Sequence, residues 1–179
     1  MAKIMKSVTA LSILAAAVFA ALFRRYNAGI YLSLAITFST TAYHLGIRLA
    51  VGALFDKIMD NKADYTKRRY KLHPWENKLY SALNVRAWKD KMPTYDPDVF
   101  SLKKHSLDEI AQAMCQSELV HKTNALLSLL PIAAAMRFGS FYVFLITSLC
   151  GAAFDLAFVI MQRYNRARIV KIIRRKNAR

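Results

Sequence analysis

In the stretch CQSELVHKTNALLSLLPIAAAM, residues 115–136, Glu118 and His121 stand three residues apart just where the chain turns apolar. On a helix that spacing puts both side chains on one face. A neutral imidazole takes a proton from a hydroxyl as that hydroxyl attacks an acyl group. A neighbouring carboxylate orients the ring and stabilises its cation, and an arginine balances charge on the tetrahedral intermediate. His44 and Arg48, four residues apart, and Asp155 are further ionisable residues within apolar stretches. Such groups are costly inside a membrane and are functional candidates for that reason. Cys115 is a poorer nucleophile partner for His121, because six residues of helix turn the two side chains roughly 240° apart.

The elements that position these residues are set by composition. The chain has 179 residues, 55% hydrophobic, with a formal net charge of +16. That combination suits an integral membrane protein with basic loops. Nucleic-acid binding is disfavoured, because the apolar residues fall in long blocks rather than in half-buried periodic patterns. Cys115 and Cys150 form no spaced pair, so neither a disulfide frame nor a metal site is expected. Four apolar blocks, at 7–23, 29–55, 119–136 and 139–161, read as membrane spans. The first block also resembles a signal peptide, but FRRYN follows where a mature terminus would begin, and an uncleaved helix is expected.

Counting Lys and Arg places 23 on one side of the membrane and three (Arg24, Arg25 and Arg137) on the other. Both termini and segment 56–118 are therefore expected to be cytoplasmic, in the cell membrane. The expected fold is all-α, a single membrane domain over 1–179. It is a four-helix bundle with a helical and irregular cytoplasmic insertion between helices 2 and 3. SLDE at 106–109 is a capping box, from which a helix should run through His121 and kink at Pro131. The tail 162–179 reads as a basic amphipathic helix on the inner leaflet. Arg48 and Asp155 fall at similar depths, roughly 10 Å inside, which makes them a reasonable ion pair. Five ionisable residues are thus expected to converge at the cytoplasmic mouth.

ELVH before a short helix carrying LLP, VRAWKDKMP upstream and QRYNRAR closing the last span resemble the glycosyl-4,4'-diaponeurosporenoate acyltransferase family over roughly residues 75–175. HLGIR at 44–48 looks like a further shared element. These are small membrane enzymes that place a fatty acyl group on the sugar of a glycosylated carotenoid. The resemblance implies an acyl thioester donor, acyl-CoA or acyl-carrier protein, a glycolipid acceptor, and no further cofactor. His121 would be general base, Glu118 its orienting partner and Arg48 an electrostatic stabiliser, with His44 beside them. Lys89, Lys91, Arg163, Arg166 and Arg168 would hold donor phosphates. Asp155, Trp88, Gln162, Tyr164 and Asn165 complete the expected substrate-binding set. Trp75, Tyr80 and Trp88 also suit interfacial anchoring.

Two other classes compete. A non-catalytic scaffold or lipid-binding subunit would use the basic face to recruit an acidic partner, and changing His121 would alter little beyond stability. A transporter needs ionisable groups across the full bilayer depth, which the outer halves of all four blocks lack. Four short helices enclose little space for two lipid chains, so a homodimer or a pocket open to the bilayer is expected.

Overall fold

The structure is a computed structural model that describes residues 2–178. Among these there is no strand. Four long helices dominate: α1 (Ala2–Tyr26), α2 (Gly29–Met59), α5 (Leu107–Leu127) and α7 (Phe141–Asn177). Short helices α3 (Pro74–Ala82), α4 (Val85–Trp88) and α6 (Ala135–Phe138) lie between them, with 3-10 turns in the connections. Asn27, in the left-handed region at φ 50°, ends α1 by donating its amide to the Phe23 carbonyl at 2.8 Å.

Among the described residues, three stretches are long and apolar enough to cross a membrane: Ala2–Tyr26, Leu107–Phe138 and Phe141–Asn177. α1 shows the reason most plainly. Its buried residues are Thr9 and Ser12, while Leu11, Ile13 and Leu14 are exposed. That is the reverse of a helix folded against water, and it suits small residues packing inward with apolar ones against lipid. α2, which holds the expected span 29–55, falls outside this set because serines, threonines, His44 and Arg48 interrupt it. Its threonines satisfy themselves locally, with Thr37, Thr40 and Thr41 each donating to the carbonyl four residues back.

The chain forms two compact units. The first gathers the residues up to Val51 with Asn124–Ala153; the second gathers Gly52–Thr123 with the chain from Phe154 onward. In the first, Phe19 of α1 stacks on Phe38 of α2 with ring centroids 5.6 Å apart. In the second, the SLDE box forms as its spacing predicts. Ser106 Oγ accepts from the Glu109 amide at 3.2 Å and Glu109 accepts from the Ser106 amide at 2.7 Å. Gln116 on α5 accepts from the Asn61 amide and donates to Asp56, which holds the end of α2 against it.

One expectation is revised. The helix from Leu107 does not kink at Pro131 but ends at Leu127 and resumes as a 3-10 turn over Leu130–Ala134. Proline has no amide hydrogen, so the Leu127 carbonyl loses its normal donor at position 131. Tyr43 Oη takes that place, donating to the Leu127 carbonyl at 2.8 Å. The tail 162–179, expected as a basic amphipathic helix, is helical through Asn177 as the continuation of α7, one 37-residue helix.

Tyr43→Phe should cost roughly 1–2 kcal/mol of stability in detergent, the penalty of a buried carbonyl left without a donor. In a Pro131→Ala background the same change should cost much less, because alanine restores the missing amide. Equal costs in the two backgrounds would remove the link between them.

Candidate active site

His121 and Asp155 form a pair within the second unit. His121 Nδ1 lies 2.9 Å from Asp155 Oδ1, with the histidine side chain 20% exposed and the aspartate fully buried. The imidazole lies flat on Phe158, with ring centroids 4.4 Å apart and planes 7° from parallel. Phe158 follows Asp155 by three residues on α7, so one helix face supplies both the carboxylate and the stacking surface. With Nδ1 facing the carboxylate, Nε2 is the nitrogen left to exchange a proton. The carboxylate beside His121 is thus Asp155 rather than Glu118.

Glu118 has other partners. It has no solvent exposure and accepts hydrogen bonds from Lys122, Arg163 and Arg166. Arg163 uses all five of its N–H groups. Nε (3.0 Å) and Nη2 reach Glu76, Nη1 reaches Glu118 at 2.8 Å and the Arg69 carbonyl at 3.1 Å, and Nη2 also reaches the Lys71 carbonyl at 2.9 Å. Arg166, 2% exposed, donates to the Tyr70 carbonyl at 3.1 Å and packs over the Tyr70 ring. The expected role of Arg163 and Arg166 as phosphate ligands is therefore corrected. Arg163 has no N–H left to give, and Arg166 is buried against carboxylate, carbonyls and ring.

Glu76 completes the network and was not singled out from sequence. It also accepts from Tyr80 and from the His73 amide, so it both caps α3 behind Pro74 and ties α3 to α7. The signal was available: an acid three residues after a helix start that carries Pro at its first position. Burial pushes the Glu76 carboxyl up, but hydrogen bonds from Arg163 and Tyr80 outweigh it and hold the group below its ordinary 4.5. Burial, reinforced by Glu76, pushes the Tyr80 phenol well up. Tyr80 is buried and meets Tyr164 edge-on, so it is a packing residue and not the interfacial anchor expected.

The remaining candidates divide by exposure. Gln162 is buried, Asn165 is intermediate, and Arg168 is exposed with its guanidinium 5.7 Å from the Tyr164 ring. Trp88 donates its indole N–H to the Leu83 carbonyl at 2.9 Å, Lys89 pairs with Asp90, and Lys91 is exposed. In the first unit, Arg48 donates to the His44 carbonyl and, at 3.0 Å, to the Gly151 carbonyl. A side chain at position 151 would meet His44 and Ser128 at 3.2–3.3 Å, so glycine there lets the ring and the hydroxyl approach α7. Of the five ionisable residues expected together, Glu118, His121 and Asp155 belong to the second unit and His44 and Arg48 to the first.

The sequence model of the glycosyl-4,4'-diaponeurosporenoate acyltransferase family matches residues 64–175, more than half of the chain. The chain belongs to that family. His121, Asp155, Glu118, Glu76, Arg163 and Arg166 all lie within the matched region of this acyltransferase. No curated protein and no solved structure matches the chain.

The Glu76–Arg163 pair carries a pH dependence. The folded-state value of Glu76 lies below its unfolded one. The stabilisation is therefore complete above about pH 4.5 and is lost as pH falls through the depressed value. Glu76→Gln should cost about 1.5–3 kcal/mol near neutral pH, since Arg163 keeps Glu118 but loses its charge-assisted bonds to Glu76. The gap in melting temperature between wild type and variant should close as pH falls below 4.5. A gap independent of pH would show that the carboxylate charge is not what holds the pair.

Proposed function

We propose that this protein is a membrane O-acyltransferase that moves a fatty acyl group from a thioester donor to a hydroxyl of a glycolipid, such as a glycosylated carotenoid. Family membership supports the reaction class, and the His121–Asp155 pair is the observation that supports a mechanism. The acceptor hydroxyl gives its proton to His121 Nε2 while its oxygen attacks the thioester carbonyl carbon. Asp155 holds the ring and stabilises its cation. Collapse of the tetrahedral intermediate breaks the C–S bond, and the leaving thiolate recovers the proton from His121. The products are an ester and a free thiol, and no other reactant is consumed.

Phe158 fixes the plane of the ring, so the base is presented rather than free to rotate. Coenzyme A and acyl-carrier protein both fit the donor role, and of the five basic residues expected to meet their phosphates Lys91 and Arg168 are exposed. The roles of Arg48 in stabilising the oxyanion and of His44 beside it are carried by residue type and spacing. The positive-inside count supports cytoplasmic termini in the cell membrane, with α2 as a fourth span of a bundle.

The test is donor turnover by the purified protein in its native lipid extract. Long-chain acyl-CoA or acyl-carrier protein is supplied, with thiol release and new acylated lipids followed together. His121→Ala, with its fold checked, should lower the rate by roughly 10²–10⁴. Background-level release from both proteins with every donor would favour a lipid-binding scaffold instead.

A further inference from the structure

The first unit contains a crevice of about 730 Å³, within the roughly 300–1,000 Å³ range of small-ligand sites. Leu32, Ala35, Ile36, Pro131, Phe138 and Phe144 form apolar wall, and Arg24 and Arg137, both exposed, also line it. Thr40 and Tyr43 reach the lining as well, but both hydroxyls donate to backbone carbonyls, Thr40 to Ile36 and Tyr43 to Leu127. The interior therefore suits a hydrocarbon chain, and the arginines suit a charged end.

That charged end must be negative, and it must come from outside the unit. Neither segment of the first unit, up to Val51 or Asn124–Ala153, contains a single aspartate or glutamate. Arg25, next to Arg24, sits 5.6 Å from the Tyr26 ring. Arg24 and Arg137 flank an apolar crevice with no carboxylate in their own unit to neutralise them. They lie near helix ends, in the last turns of α1 and α6, where a chain crossing a membrane meets the headgroup layer. Guanidinium groups engage phosphate oxygens through paired N–H donors.

We propose that this crevice binds an anionic phospholipid, one acyl chain lying along the apolar wall and the phosphate between Arg24 and Arg137. The site is independent of the acyl-transfer reading and uses none of its residues. A phosphodiester keeps its charge at all physiological pH and offers two unbridged oxygens to the two cations. Occupancy would staple α1, the α6 turn and the start of α7 at that end of the unit.

Native mass spectrometry of the full-length protein in detergent tests this, with dioleoyl phosphatidylglycerol, dioleoyl phosphatidylcholine and oleate as probes. Wild type should retain one phosphatidylglycerol per chain, on the order of tenfold in preference to phosphatidylcholine. Arg24→Gln with Arg137→Gln should abolish that preference. A Lys171→Gln, Arg174→Gln, Arg175→Gln variant, which alters the basic end of α7, should keep it. Equal retention of the two phospholipids by wild type would overturn the proposal. So would preference surviving in the double arginine variant, or oleate displacing phosphatidylglycerol at equal concentration.

Discussion

A carboxylate with no exposure to solvent keeps its charge only if cations and hydrogen bonds surround it, and Glu118 is such a group. Arg163, Arg166 and Lys122 supply them. Much of the second unit follows from that requirement. To reach Glu118, two arginines three residues apart on α7 must face α5. Once there, their remaining donors collect the carbonyls of Arg69, Tyr70 and Lys71 and the carboxylate of Glu76. A segment with little regular structure is thereby fixed to two long helices.

That anchoring also positions the chemistry. His121 is one turn from Glu118 on α5, and Asp155 is two turns from Arg163 on α7. Locking α5 and α7 in register at the Glu118 level sets the distance between His121 and Asp155 a turn or two further along. The ion network and the His121–Asp155 pair are thus two levels of one contact between α5 and α7, and both lie within the region the family model matches.

What sequence made legible was local. The SLDE box and the apolar blocks each depend on neighbours along the chain, and each marks a helix boundary or a helix. Glu118 and His121 were recognisable as unusual because ionisable groups stand out against apolar surroundings. Which carboxylate would serve which partner was not legible. Glu118 and Asp155 are equally plausible beside His121 by residue type, and the choice is made by the register of α7 against α5. The capping position of Glu76 was legible but its ion pair was not, since that pair forms only when a distant arginine comes to meet it. Pro131 announced a disruption, but its form depended on Tyr43, 88 residues earlier, claiming the carbonyl it freed.

We propose a division of labour between two buried carboxylates, Asp155 serving the reaction and Glu118 the scaffold. Single-turnover acyl transfer, normalised to the folded fraction, tests it directly by comparing Asp155→Asn with Glu118→Gln. Asp155→Asn should lower the rate per folded molecule by at least about tenfold. Glu118→Gln should lower the melting temperature while the molecules that remain folded react at nearly the wild-type rate. A folded Glu118→Gln protein that is catalytically dead, beside an Asp155→Asn protein of normal rate, would contradict it and return the orienting role to Glu118.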